Sequence, residues 1–291
     1  MIIKQYALNM MLLGCLWGTI GTACWAEDTV HWGTVNYPPA YFVDGPQQGK
    51  GFCDVAGEQF RQTLATYHHQ LIANVSQARM SEFWKETEQT YCIPGLGATV
   101  GQFPHTVSSK AMSIVPPPGI VIRKAEMSRF ITSLEEQASL ERLLQDSTLK
   151  LGLFGQQQNG ERIDALLKRY RGQPHVYERV VMDTEAILKM LNVNRFDYVL
   201  MWAFAVQTAF ETLTTEERES LTFLSVLEAP APLEARAICN DTPLGRQVIE
   251  QINQALTIET YKTVVTERLL EFLPENLRDE YRSLNLQRIG Q

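Results

Sequence analysis

Residues 30–55, VHWGTVNYPPAYFVDGPQQGKGFCDV, constrain the fold more than any other stretch. The apolar run 30–35 reads as a buried strand. It ends in an aromatic and proline turn, Tyr37-Pro38-Pro39-Ala40-Tyr41. A loop carrying Gly45, Gly49 and Gly51 then leads into a helix that opens at Cys53-Asp54. Asp54 suits the N-cap, because its carboxylate can accept from the unpaired N–H groups of a first turn, and Glu58 suits the positive end of the helix dipole. A strand that feeds a helix in this way belongs to an open α/β sheet. Ligands of such sheets settle at the carboxyl ends of the strands.

The same rhythm continues. A helix over 55–67 is followed by a strand over 70–75, a helix over 78–89 and a strand over 91–96. Met80, Phe83 and Trp84 lie at helical spacing and read as core. His68-His69 is expected at the surface, ending the first helix, where it would favour the dipole. This β-α-β-α-β series predicts a parallel sheet with right-handed crossovers. Residues 95–124 then break the rhythm with Gly95, Gly97, Gly101, Pro104 and the run Pro116-Pro117-Pro118-Gly119. Proline cannot donate to a sheet ladder, so the segment is expected to be a stiff crossing between two lobes.

A second alternating series begins at Leu149. Strands are expected over 149–154, 175–181 and 196–201, and helices over 161–170, 184–191 and 203–210. Beyond it, residues 222–229 lead through Pro230 and Pro232 to a strand ending at Cys239, a return to the first lobe. Thr242-Pro243-Leu244-Gly245 opens a helix to about residue 256. The tail 258–286 is amphipathic and interrupted by Pro274.

The amino terminus reads as a secretory signal: Lys4, an apolar run over 6–20, and Cys24-Trp25-Ala26 with cleavage expected after Ala26. A retained anchor and a lipoprotein attached through Cys24 are the competing readings. The run is short for a spanning helix, and Gly21-Thr22-Ala23-Cys24 lacks a large aliphatic residue at its start. The expected location is therefore the periplasm, with no stable membrane insertion after cleavage. A net charge of −7 without any Lys/Arg run argues against nucleic acid as a partner. Cleavage leaves Cys53, Cys92 and Cys239. In an oxidising compartment one disulfide and one free thiol are expected. Cys92 and Cys239 both fall in strand contexts, which favours that pair, although sequence alone leaves the connectivity open. No metal-ligand spacing and no cofactor motif is present, so neither a metal nor a cofactor is expected.

In order along the chain, the residues quoted next carry a resemblance. They are Tyr37-Pro38-Pro39, Gly49-Lys50-Gly51-Phe52 before Asp54, Ala78-Arg79, Cys92, the proline-rich crossing, Phe196-Asp197-Tyr198-Val199, and Cys239 with Thr242-Pro243-Leu244-Gly245. The mature chain resembles a type II periplasmic binding protein of the extracellular solute-binding protein family 3 group. The resemblance implies an α/β fold of two lobes with two mixed sheets flanked by helices, joined by two hinge strands. Residues 27–120 and 226–291 would form lobe 1, and 121–225 lobe 2. A small polar ligand would sit in the cleft between them, delivered to an ABC transporter permease or presented to a membrane sensor. Amino-acid binders of this group commonly carry a Thr-x-x-x-Arg element, whose Arg forks onto the ligand carboxylate. Here Thr99 is followed by Gln102 and Phe103 and by no Arg, which weakens an α-amino-acid reading.

Each candidate has a bland alternative. Tyr37 and Tyr41 would stack on a ligand, or pack on their own turn. Arg79 would meet an anionic group, or form a surface ion pair. Gly155 and Gln156 would offer backbone N–H groups at a helix N-terminus, or form a plain loop. Asp197 would take an ammonium group, or serve structure. No nucleophile–base pair is readable, so a binding protein is expected rather than an enzyme. A small dehydratase-like enzyme on the same scaffold is the alternative.

Overall fold

The computed structural model describes residues 28–97, 103–131, 136–154, 159–179 and 184–291. Two mixed sheets organise the chain into two lobes. The first lobe starts with β1 (Thr29–Gly33), α1 (Phe52–Thr63), β2 (His68–Ile72), α2 (Gln77–Phe83) and β3 (Thr90–Gly97). Short strands β4 (Thr106–Ser108) and β5 (Ser113–Val115) follow. The chain then crosses to β6 (Pro118–Arg123), a strand of the second sheet. Pro118 is its first residue, a place where the missing N–H does least harm.

The second lobe continues with a 3-10 turn over Lys124–Arg129, α3 (Leu140–Gln145), β7 (Leu151–Phe154), α4 (Glu161–Tyr170) and β8 (Val176–Arg179). It is completed by α5 (Thr184–Asn192), β9 (Tyr198–Trp202), α6 (Ala203–Glu211), α7 (Thr215–Glu219) and β10 (Leu221–Ser225). The return strand β11 (Leu233–Asn240) rejoins the first sheet, and α8 (Pro243–Ala255), α9 (Glu259–Leu270) and α10 (Glu275–Arg288) close the chain. Among the described residues no helix is long and apolar enough to cross a membrane.

The first sheet runs β2-β1-β3-β11-β4, with β5 paired to the other half of β11. The β1–β2 and β1–β3 pairs are parallel, and β11 is antiparallel to β3, β4 and β5. The second runs β10-β6-β9-β7-β8. Here β7 is parallel to β8 and β9, while β6 is antiparallel to β9 and β10. Alternation along its strands splits that sheet between two cores. Ile120, Ile122, Leu151, Leu153, Tyr198 and Leu200 face an aliphatic core closed by α3 and α4. Val121, Val199 and Met201 face α5 and α6, in a core continuous with that of the first lobe.

Several local expectations move. The first helix begins at Phe52 with Gly51 as N-cap, so Asp54 stands three positions inside; its carboxylate still caps by reaching back to the Gly51 N–H at 2.9 Å. A Cβ on Gly51 would stand 2.2 Å from the Ala40 carbonyl oxygen, so only glycine fits where the turn and the helix meet. His68 and His69 begin β2 instead of ending a helix, and the Trp32 indole N–H donates to His69 Nδ1 at 3.0 Å. The second helix stops at Phe83, and the proline-rich segment holds β4 and β5 as well as the crossing.

The return strand places Cys239 directly opposite Cys92, and the two form a disulfide. Asn240 next to it is fully buried. Its side chain accepts from Tyr91 N at 2.8 Å and donates to the carbonyls of Glu86 at 2.7 Å and Gln89 at 2.9 Å. Thr90 and Thr242 share a hydrogen bond of 2.7 Å. Asn285 of α10 meets β5 as a neighbouring strand would: Ile114 N donates to its Oδ1 at 2.8 Å, and its Nδ2 donates to Ile114 O at 2.8 Å. In the second crossing the Glu228 carboxylate is buried against α3, accepting from Leu140 N at 2.8 Å, Glu141 N at 3.1 Å and the Ser139 hydroxyl at 3.0 Å.

Candidate functional site

The carboxyl ends of strands from the two sheets face each other. Tyr37 follows β1, and Phe204 opens α6 directly after β9; their ring centroids lie 5.9 Å apart, edge to face. Phe52, the first residue of α1, meets the same Phe204 ring edge-on at 6.0 Å. Trp202, the last residue of β9, stacks on Phe204 at 5.6 Å. On the first-lobe side the rings continue from Phe52 to Phe272 at 6.5 Å and on to Phe42 at 6.1 Å. Phe272 lies in the turn between α9 and α10, with the Arg268 guanidinium 4.7 Å from its ring centroid. Aromatic residues of both lobes thus meet where these strand ends face each other.

Tyr37 keeps 38% of its surface exposed, and the surrounding mass of both lobes raises its phenol pKa by desolvation. Beneath it, the turn is tied to α1. The N–H groups of Phe52 and Cys53 donate to the carbonyls of Pro39 and Ala40, at 3.2 and 3.0 Å. The helix N-terminus is therefore spent on its own turn. The Asp54 carboxylate also accepts from Phe42 N at 2.9 Å. Burial raises its pKa, and the two backbone N–H groups pull it partly back.

Tyr41 lies in the interior. It is 1% exposed, its hydroxyl donates to Gly95 O at 2.7 Å, and Gly95 N donates back at 2.7 Å. The pair Tyr37 and Tyr41, joined by a bridge across their turn, thus divides between the interlobe contact and the core. Cys53 is buried beside Tyr41, and burial drives its thiol pKa far up, which leaves it unreactive.

Arg79 lies exposed on the first turn of α2. Its guanidinium sits over Phe83, 5.4 Å from the ring centroid; Phe83 stacks on Tyr91 at 4.2 Å, and Tyr91 packs on His31 at 4.8 Å. Asp197 stands at the amino end of β9, the end remote from Trp202 and Phe204. It accepts from Arg129 Nη1 at 3.0 Å and from Lys150 N at 2.8 Å, with Arg123 at 3.5 Å. That is the structural use weighed against an ammonium site. Thr99, Gln102, Gly155 and Gln156 lie outside the described residues.

Trp202, Phe204 and Phe272 were not singled out from sequence, and Phe52 was quoted only within the motif that carries the resemblance. Trp202 and Phe204 flank a strand–helix junction, Phe52 opens a helix and Phe272 sits between two helices, places where an aromatic reads equally well as core. A groove of about 570 Å³ lies at the other pole of the first lobe, across the amino ends of β1, β2 and β3. His31, His68, Asp28 and Glu88 are among the residues that line it.

No family model matches the chain, and no curated protein matches it. Solved structures do. A probable amino-acid ABC transporter extracellular-binding protein from Bacillus subtilis is 13% identical, with a TM-score of 0.61 over 86% of this chain and 99% of that one. The second substrate-binding domain of GlnP from Lactococcus lactis, in an open conformation, is 11% identical, with a TM-score of 0.58 over 85% and 96%. A histidine kinase sensor domain similar to periplasmic binding proteins is 14% identical, with a TM-score of 0.56 over 83% and 96%. With two mixed sheets and two crossings between them, this chain has the two-lobed fold of the type II periplasmic binding proteins.

Proposed function

We propose that the chain is a secreted solute-binding protein that holds a small molecule in the crevice between its lobes. The observation that carries this reading is the convergence of Tyr37 and Phe52 with Trp202 and Phe204, from opposite lobes, at the carboxyl ends of β1 and β9. Open α/β sheets bind ligands at that edge. Lobe 1 would comprise the chain up to β5 and from β11 onward, and lobe 2 the chain from β6 to β10. The pivots would fall at Pro116-Pro117 and at Pro230-Ala231-Pro232, since Glu228 ties the chain before them to α3. Aromatic faces would hold the ligand's apolar part. Its polar groups would be met by Thr99, Gln102, Gly155 and Gln156, the candidates read from sequence.

The neighbours in fold include a transporter's binding protein and a kinase's sensor domain, so an ABC permease or a membrane sensor is the partner class. A disulfide suits export to the periplasm. The binding reading stands over the enzyme reading because Asp54, at the crevice end of α1, is occupied with capping. A thermal-shift screen of amino acids, polyamines, opines, sugars and small organic acids tests it, because a ligand selective for the native state raises Tm by mass action. Tyr37→Ala should abolish the shift given by a true ligand. A shift unchanged in that variant would remove the crevice from the binding site.

A further inference from the structure

Phe204 is carried by lobe 2, yet it is only 5% exposed, and two of its three ring partners among the described residues, Tyr37 and Phe52, belong to lobe 1. A two-lobed receptor shifts toward closure only as far as the ligand makes contacts in the closed form that it lacks in the open one. Here a side chain of the protein supplies contacts of that kind. We propose that Phe204 is an internal clasp: its ring bridges the crevice, makes closure a property of the chain itself, and has to be displaced by whatever binds there.

The surroundings suit a clasp. Trp202 stacks on one side of Phe204, so the ring is held from its own lobe as well as gripped from the other. Phe52 is fixed in turn, because its N–H is bonded to Pro39 O and its ring packs on Phe272. Arg268 steadies that end by donating to Lys50 O at 2.5 Å and by lying over Phe272. The grip therefore runs from α6 through the α1 N-terminus to the turn between α9 and α10. Ligand entry would loosen this chain of rings. Occupancy would then be reported as release of the lobes, the reverse of a ligand-driven closure.

The displacement step rests on the proposed crevice-binding function, whereas the clasp itself does not, and the test separates them. Spin labels are attached at Gln62→Cys and Lys168→Cys, exposed positions on α1 and α4. Cys53 stays unlabelled because it is buried. Interlobe distances are measured by double electron–electron resonance in the full mature chain, with circular dichroism as the folding control. The expected result is one narrow distribution for the parent, and a broader, longer one for Phe204→Ala. Phe204→Leu, which keeps apolar bulk, should fall between them. If Phe204→Ala does not fold, Tyr37→Ala breaks the same contact from the exposed side and should lengthen the distance likewise. A folded Phe204→Ala or Tyr37→Ala variant with the parent distribution overturns the clasp. A lengthened distance in Phe204→Ala, with no hit in the thermal-shift screen, would keep the clasp and remove the binding reading. A hit whose thermal shift is lost in Tyr37→Ala, with all interlobe distances alike, would do the opposite.

Discussion

The two lobes are built from similar strands and helices but are held together by different means. Lobe 1 is assembled from two distant stretches of chain, and its seam is sewn. The Cys92–Cys239 disulfide spans 147 residues, and Asn240 and Thr242 bond across the same junction. Lobe 2 is continuous in sequence and shows no such seam among the described residues. Its sheet packs on an aliphatic core, and its edge is tied by the Arg123–Glu126–Arg129–Asp197 ion pairs. The covalent fastener goes where the joined stretches are farthest apart in sequence, whereas lobe 2 relies on ion pairs and the buried Glu228 over shorter separations.

If this contrast is right, the largest effect belongs to the disulfide. Cys92→Ser with Cys239→Ser should cost lobe 1 on the order of 4 to 5 kcal/mol in the chain-entropy model. Trp32 and Trp84 are buried in lobe 1, so tryptophan fluorescence in denaturant reports it. Equal loss in both lobes by calorimetry would break the comparison. Asn240→Ala comes next. It strands three backbone groups at the seam, and about 2 to 4 kcal/mol should go in the same unfolding transition. Glu228→Ala strands the Leu140 and Glu141 N–H groups at the start of α3, where the Ser139 cap serves only Arg142, and should cost about 1 to 3 kcal/mol, read in the lobe 2 transition.

The smallest effect is the sharpest test. The Arg123 hydrogen bond, with Arg129 beside it, lowers the Glu126 pKa from its ordinary 4.5. A lowered carboxylate stabilises the fold fully above its unfolded value, and that contribution fades as pH falls through the folded one. Lobe 2 should therefore lose stability below about pH 4.5, and Glu126→Gln should flatten that slope in pH-dependent melting. Asp54 in lobe 1 has the opposite sign. Its raised pKa gives a contribution complete below its ordinary 3.8 and lost as pH rises through the folded value.

The same contrast explains what could be read from sequence. The alternation of strand and helix is a local signal, and it located β1, β3, β7, β9, α5, α6 and α8 to within a few residues. Cys92 and Cys239 were pairable because each sat in a strand with ordinary β character. The strands β4 and β5 were missed: each is three residues long and is specified only by pairing with β11, more than a hundred residues away. The shift of the first N-cap from Asp54 to Gly51 has a similar cause, the approach of Gly51 to the Ala40 carbonyl. Tyr37 and Tyr41 are equivalent in sequence, and only the packed turn decides which ring enters the core. Phe204 was unreadable as a crevice residue, because an aromatic after an apolar strand looks like core until its partner in the other lobe is known.

Asn285 has a consequence for the carboxyl terminus. By presenting one amide to Ile114, it occupies the outer margin of a three-residue strand that otherwise offers an unsatisfied donor and acceptor to any passing polypeptide. A chain cut short before α10 would lose that cover, and its commonest fate should be association with its own kind.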